Sequence, residues 1–210
     1  MLARIATGAG LAAGSAIVLA GVLDPGYSAR SEAISALASQ ESASAPLMIL
    51  GFFSLALALA AAGAALFGQL PGRRPRAGAA LVMLSGALTV VVAVARQDCS
   101  TLEVACLARE SAGTVSAGHV VHNLVSLVLF VLLVVAAFLL TPGLRRGPGS
   151  PSLARIALLV AVTDTVFLLW FGSAAFGSSG GLVQRGLVLL TFGWPVFLAA
   201  HLARRAPAAP

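Results

Sequence analysis

Residues 118–140 read GHVVHNLVSLVLFVLLVVAAFLL, a run of 23 residues without Asp, Glu, Lys or Arg. A helix needs about 20 apolar residues to cross the roughly 30 Å hydrocarbon core of a bilayer, so this run predicts a membrane-spanning helix. Because the apolar runs of the chain are continuous and do not alternate, we expect an all-α bundle and no strands. The six predicted spans cover residues 4–23, 46–68, 77–97, 118–140, 153–173 and 183–203.

The composition of the whole chain agrees with a membrane protein. Of its 210 residues 59% are hydrophobic and 10% are charged, and the mean hydropathy is +1.00, which excludes a soluble globular domain. The segments between the predicted spans are short, so we expect one six-helix domain over residues 1–210. The 13 basic residues, all Arg, are scattered between apolar runs, which argues against nucleic-acid binding. The expected partner of the apolar helices is the lipid bilayer.

The arginines predict the orientation of the bundle. Six spans place nine arginines on the side that holds both termini and four on the other side, at Arg30, Arg96, Arg109 and Arg185. The positive-inside rule therefore predicts that both termini are cytoplasmic. A cleaved signal peptide is the alternative interpretation of residues 4–23, but it would put the two chain ends on opposite sides and weaken this asymmetry.

The chain contains two cysteines, Cys99 and Cys106, and both lie in the second predicted outer loop. On the oxidising side of a membrane this pair predicts a structural disulfide. Closing so short a loop restricts the unfolded chain by about 2.5 kcal/mol in the entropy model. Free or metal-binding thiols are the alternative, but no C-x-x-C spacing supports zinc, and we predict no metal site and no cofactor.

The first outer loop contains Tyr27 and the segment Ile34-Ser35-Ala36-Leu37. Ile34 and Leu37 are three residues apart, so a short helix there would turn one apolar face toward the bundle. We consider two interpretations: a lid over the outer mouth of the bundle, or a solvated loop that Tyr27 anchors at the headgroups. The prolines of the inner loops, Pro142 among them, are expected to end helices.

The fourth span begins with a polar stripe. His119, His122, Asn123 and Ser126 are spaced three or four apart, so they share one helix face at its outer end. Hydrogen-bonded helix packing and a ligand or catalytic pocket both fit this pattern. Two imidazoles are too few for a metal or haem site, which makes that third interpretation the weakest.

The fifth span carries Asp164 near the bilayer midplane, where insertion scales give aspartate a cost of about 2.5–3.5 kcal/mol. This side chain must face inward and find donors, or stay protonated. The candidate counter-charge is Arg185 at the outer end of the sixth span, so we expect a contact between the two. Asp164 is then either a buried structural latch or part of a functional site.

Several short motifs occur together: Tyr27-Ser28, Ile34-Ser35-Ala36-Leu37, His119, and the segment GLVQR at residues 181–185. Together they resemble the six-helix membrane family of bacteria and archaea known as domain of unknown function 998. The resemblance implies a six-helix fold, these same residues near the outer leaflet, and a multi-pass protein of the bacterial plasma membrane. It brings no established reaction. Ala36 departs from a position expected to be acidic in many members.

The leading hypothesis is an outward-facing polar pocket that binds a lipid headgroup or small molecule. In it, Arg185 holds an anionic group, while His119 and Asp164 exchange a proton. No nucleophile elbow or phosphate loop is present, so an enzyme is not favoured; if it is one, a membrane-embedded hydrolase or isomerase fits best. The alternatives are a transporter or proton pathway that uses Asp164, and a structural subunit that docks a membrane protein partner. The predicted pocket residues are Tyr27, Ser35, His119, His122, Asp164 and Arg185.

Overall fold

The computed structural model describes residues 1–146, 150–173 and 177–205. These residues form seven α-helices and two 3-10 helices, with no strand among them. All the α-helices except α4 are long and apolar enough to cross a membrane, so the six predicted membrane helices and the all-α class are confirmed. The helices are α1 (Leu2–Leu23), α2 (Ala45–Gln69), α3 (Arg73–Val94), α4 (Val104–Ser111), α5 (Ala117–Arg146), α6 (Pro151–Gly172) and α7 (Gly180–Arg205), with 3-10 helices at Ile34–Ala38 and Gly177–Ser179.

One predicted helix end is wrong. We expected Pro142 to lie in an inner loop, but α5 runs through it and ends at Arg146. A proline removes one backbone hydrogen bond, and packing can hold the helix past it. Here Gly143 supplies that packing, because its missing side chain lets α5 press against α3: a Cβ on Gly143 would lie 2.7 Å from Cγ of Pro75.

The membrane helices pack in a closed order. α1 contacts α2 and α7, α2 contacts α3, α3 contacts α5, α5 contacts α6, and α6 contacts α7. The α2–α3 contact is especially close, because Cβ atoms on Gly63 and Gly86 would each lie 2.8 Å from a backbone oxygen of the other helix. Small residues allow such an approach in lipid, where dispersion contacts between helices replace the hydrophobic effect.

The two ends of the bundle differ. One end, here called the loop end, carries residues 24–44, residues 95–116 and the start of α7. These segments bind one another: Gln40 N–H donates to the carbonyl of Gln97 at 2.8 Å, and Leu182 N–H donates to the carbonyl of Arg30 at 3.2 Å. The opposite end, here called the terminal end, carries the start of α1, the end of α7 and the short α2–α3 connection. The first loop is thus joined both to the second loop and to the start of α7, and we call these joined segments the loop cover.

The 3-10 helix Ile34–Ala38, here called the loop helix, lies at the centre of this cover. The side chains of Ile34, Ala36, Leu37 and Ala38 are all buried. The backbone N–H of Ile34 donates to Oε1 of Gln184 on α7 at 2.6 Å. Of the two interpretations of the first loop, the lid therefore describes this segment, and a freely solvated loop does not.

Candidate functional site

A cavity of about 830 Å³ lies inside the bundle toward the loop end. Most of its lining is apolar and comes from α5, α6 and α7, with Phe130, Leu168 and Phe192 among the residues that form it. Leu127 of α5 and Leu169 of α6 also line the cavity, and their exposed fractions are 55% and 69%.

Leu169 continues an exposed stripe on α6 that includes Val162 and Val166, the face expected to contact lipid. Leu127 lies on a corresponding exposed stripe of α5 with Leu124 and Val131. Because the cavity reaches both stripes, it opens sideways between α5 and α6 toward the bilayer.

The part of the cavity beneath the loop-end cover is polar, and we call it the polar end. Two of the six predicted pocket residues, Ser35 and His122, line the cavity. The sequence stripe on α5 also contributes Asn123 and Ser126 to the lining. The other polar lining residues are Thr89, Gln97, Thr101, Glu110, Ser173 and Gln184.

Glu110 joins the second loop to the cavity wall. Its Oε1 accepts hydrogen bonds from Nε2 of His119 at 2.6 Å and from Nδ2 of Asn123 at 3.1 Å. Asn123 in turn accepts from Nε2 of Gln97 at 2.6 Å through its Oδ1. These bonds tie α4, α5 and the end of the α3 segment into one network at the polar end.

His119 positions Glu110 and does not itself line the cavity. Its Nδ1 accepts from the backbone N–H of Asp98 at 3.1 Å, so Nδ1 carries no hydrogen. The ring hydrogen therefore sits on Nε2 and is donated to Glu110. With an exposed fraction of 1%, the ring is a buried connector between the second loop and α4.

His122 has the opposite tautomer. Its Nδ1 lies 2.7 Å from the carbonyl of Ala95 and 3.1 Å from that of Val92, and both are acceptors at the end of α3. Nδ1 must therefore carry the hydrogen, which leaves Nε2 with a free lone pair. The two histidines of the predicted stripe thus act differently: His119 donates to Glu110, whereas His122 satisfies the carbonyls of α3.

The predicted disulfide between Cys99 and Cys106 is present. It fastens α4 to the segment that follows α3, and Glu110 lies one turn further along α4. The two sulfurs and one ring nitrogen of His119 lie within 4.8 Å of one another. Because the sulfurs are bonded to each other, they offer no thiolate to a metal ion in this state.

Asp98 organises the start of α5 beside this disulfide. Its carboxylate accepts from the backbone N–H and the hydroxyl of Ser116, both at 2.6 Å. These two hydrogen bonds hold the pKa of Asp98 below its usual value, although burial opposes them. Ser116 Oγ then accepts from the N–H of His119 at 3.2 Å and caps the helix.

Arg185 and Tyr27 lie together at the loop end but outside the lining of the cavity. The Arg185 guanidinium donates to the carbonyls of Glu32 and Gly181, both at 3.0 Å, and to the Tyr27 hydroxyl. The Tyr27 hydroxyl donates to the carbonyl of Ala33 at 3.1 Å. Burial raises the pKa of Tyr27, although Arg185 opposes this effect, so the hydroxyl keeps its proton. Arg185 thus binds neutral oxygens and fastens the first loop to α7.

Gly181 permits this arrangement. A Cβ at this position would lie 2.7 Å from the carbonyl oxygen of Ala29 and would overlap that of Glu32. Three residues of α7 therefore contact the first loop: Gly181 by close approach, and Gln184 and Arg185 by hydrogen bonds. We call these three residues and Tyr27 the loop clamp.

Asp164 is separate from both groups. It is buried in the bundle, and its Oδ1 accepts from Thr191 Oγ1 on α7 at 2.6 Å. The expected contact between Asp164 and Arg185 is wrong. Arg185 lies six residues nearer the loop end than Thr191, about 9 Å along α7, and its side chain binds the first loop. A void of about 10 Å³, roughly the size of one water, adjoins Asp164. The proton pathway through Asp164 stays a prediction.

The structure therefore divides the six predicted residues among the cavity, the Glu110 network, the loop clamp and the Asp164–Thr191 pair. Sequence reasoning missed Gln97, Glu110 and Gln184 as cavity residues. Gln97 and Gln184 carried a usable signal, since amides near the ends of membrane helices need partners. Glu110 carried none, because its position depends on how α4 folds back.

These features define a polytopic membrane protein with six membrane helices, a cover of loops at one end and a laterally open cavity beneath it. The chain belongs to the family described as protein of unknown function (DUF998), whose family model matches residues 7–201. No significant match was found among curated proteins. None was found among solved structures either.

Proposed function

We propose that this protein binds an amphipathic, lipid-like molecule in the cavity at its loop end. The observation that carries the proposal is the combination of a polar end under the loop cover with an apolar remainder that opens between α5 and α6. A molecule with a polar head and an apolar chain would satisfy both parts at once. The volume of about 830 Å³ is within the usual range for small-molecule sites.

We further propose that the loop end faces the outside of a bacterial cell and that both termini are cytoplasmic. The arginine asymmetry supports this orientation, since nine of 13 arginines belong to the terminal end. The Cys99–Cys106 disulfide supports it as well, because such bonds persist on the oxidising side of the membrane. The ligand would then enter from the outer leaflet.

Neighbouring residues of α7 provide a matched test. Val188 lines the cavity, whereas Leu189 does not and has an exposed fraction of 74%. The Val188→Trp variant fills the cavity, and the Leu189→Trp variant places the same ring in lipid. The probe is a long-chain alkyl diazirine added to the purified protein in detergent, with labelled peptides identified by mass spectrometry.

We expect the wild-type protein and Leu189→Trp to be labelled near residues 127–131 and 168–171. In Val188→Trp, labelling of these residues should be at least about fivefold weaker. Such a loss corresponds to about 1 kcal/mol of binding free energy. Equal labelling of the two variants, or labelling spread along all lipid-facing helices, would contradict the proposal.

A further inference from the structure

The polar end of the cavity presents acceptors that lack a donor. Gln97 lines the cavity, and its Oε1 is buried without a hydrogen-bond partner. His122 Nε2 holds a lone pair, since the ring hydrogen is on Nδ1. Glu110 uses Oε1 for both of its hydrogen bonds, which leaves Oε2 without a partner among the described residues. Of these three acceptors, Gln97 Oε1 is the one that is fully buried, and a buried acceptor without a donor is costly. The wall therefore favours a molecule that donates hydrogen bonds.

The charge of the cavity wall also favours a ligand that donates hydrogen bonds. Glu110 is the one formally charged residue in the lining that the described residues provide. Three of the four arginines of the loop end are bound elsewhere: Arg185 holds the first loop, Arg96 donates to the carbonyls of Ala38 and Ser39, and Arg109 pairs with Glu41 at 3.1 Å. The fourth, Arg30, is exposed and does not line the cavity. An anionic headgroup would therefore meet a carboxylate without a balancing cation.

We infer that the molecule held in this cavity has a headgroup that donates hydrogen bonds and carries no negative charge, namely a hydroxyl or a protonated amine on a long apolar chain. This inference rests on the proposed function and assigns its ligand class. It replaces the expectation that Arg185 holds an anionic group. The donor would meet Glu110 Oε2, Gln97 Oε1 and His122 Nε2, while the chain extends between α5 and α6 toward lipid.

The test uses four probes with the same saturated chain and different headgroups: dodecanol, dodecylamine, dodecyl phosphate and dodecanoate. Each probe competes with the alkyl diazirine for wild-type protein in detergent at neutral pH. We expect the alcohol and the amine to displace the diazirine at concentrations at least about tenfold lower than the phosphate and the carboxylate. Phosphate or carboxylate competing equally well or better would overturn the inference.

The same experiment separates this inference from the proposed function. If all four probes displace the diazirine equally, the cavity binds apolar chains and the headgroup assignment fails. If none displaces it and labelling does not fall in the cavity, the proposed function itself fails. A stronger effect of the amine than of the alcohol assigns recognition to the charge of Glu110, and equal effects assign it to hydrogen-bond donation; either result supports the inference.

A substitution of the carboxylate gives an independent measurement. The Glu110→Gln variant keeps the size of the side chain and an acceptor oxygen for His119 but removes the charge. We expect it to weaken competition by dodecylamine at least about fivefold more than competition by dodecanol. The control is Glu103→Gln, which neutralises an exposed carboxylate of the same loop outside the cavity. The same loss in both variants would contradict a role of Glu110; the wild-type comparison of probes remains decisive if Glu110→Gln does not fold.

Discussion

The loop clamp makes a quantitative prediction for the stability of the fold. The Arg185→Met variant keeps an apolar stem but removes hydrogen bonds to the carbonyls of Glu32 and Gly181 and to the Tyr27 hydroxyl. A hydrogen bond from a charged group contributes about 1.5–3 kcal/mol. Because Arg185 is half-buried, water replaces part of this network, and we expect a total loss of about 3 kcal/mol. For a chain of this size, that loss lowers Tm by about 6–12 °C.

The assay is thermal unfolding of purified protein in detergent, followed by tryptophan fluorescence. Arg30→Met is the matched control, since Arg30 is an exposed arginine of the same end of the bundle. We expect its Tm to stay within about 1–2 °C of wild type, because exposed substitutions change stability by less than about 0.5 kcal/mol. If Arg185→Met unfolds at the same temperature as Arg30→Met, the guanidinium does not hold the loop cover and the argument for the clamp is refuted.

Three further predictions concern other parts of the fold. Replacing Cys106 by Ser should cost about 2.5 kcal/mol and speed amide exchange in α4 but not in the membrane helices; unchanged exchange in α4 would show that the disulfide does not hold it. The pKa of Asp98 lies below the ordinary 3.8, so its stabilising effect is complete above that pH and is lost as the pH falls toward the lower value. The Tm of the wild-type protein should therefore decrease when the pH is lowered below about 4, and the Tm of Asp98→Asn should decrease less steeply. An equal decrease in both proteins would argue against this role of Asp98. Gly86→Ala should destabilise by about 1–3 kcal/mol in denaturant unfolding, because its Cβ meets a backbone oxygen of α2 at 2.8 Å, whereas Gly68→Ala, with open space, should not.

The membrane helices could be predicted because hydrophobic length alone decides them. In hydrocarbon each backbone group must bond within its own helix, so a long apolar run has one stable conformation. The disulfide was predictable for a related reason, since the two cysteines of the chain lie in one short loop. Helix ends were less predictable: α5 continues through Pro142, where Gly143 packs against Pro75 from a distant part of the chain.

The partners of the polar residues could not be predicted in the same way. A buried aspartate and a nearby arginine suggest an ion pair, but the guanidinium of Arg185 binds carbonyls of a loop whose path has no periodicity in the sequence. Asp164 instead accepts a hydrogen bond from the hydroxyl of Thr191 on α7. Glu110 reaches the cavity because α4 folds back over it, and a residue between two spans otherwise suggests a solvated position.

The disulfide has a consequence for how the protein matures in a cell. Gln97 and Glu110, which both line the polar end of the cavity, lie in sequence on either side of the Cys99–Cys106 bond, so oxidation of the two thiols joins the segments that carry them. With the orientation proposed above, oxidation follows translocation of the second loop, after the helices have entered the bilayer. Maturation then has two stages, insertion and oxidative closure. A strain without thiol-oxidising enzymes would accumulate inserted protein in which α4 is not covalently joined to the segment after α3.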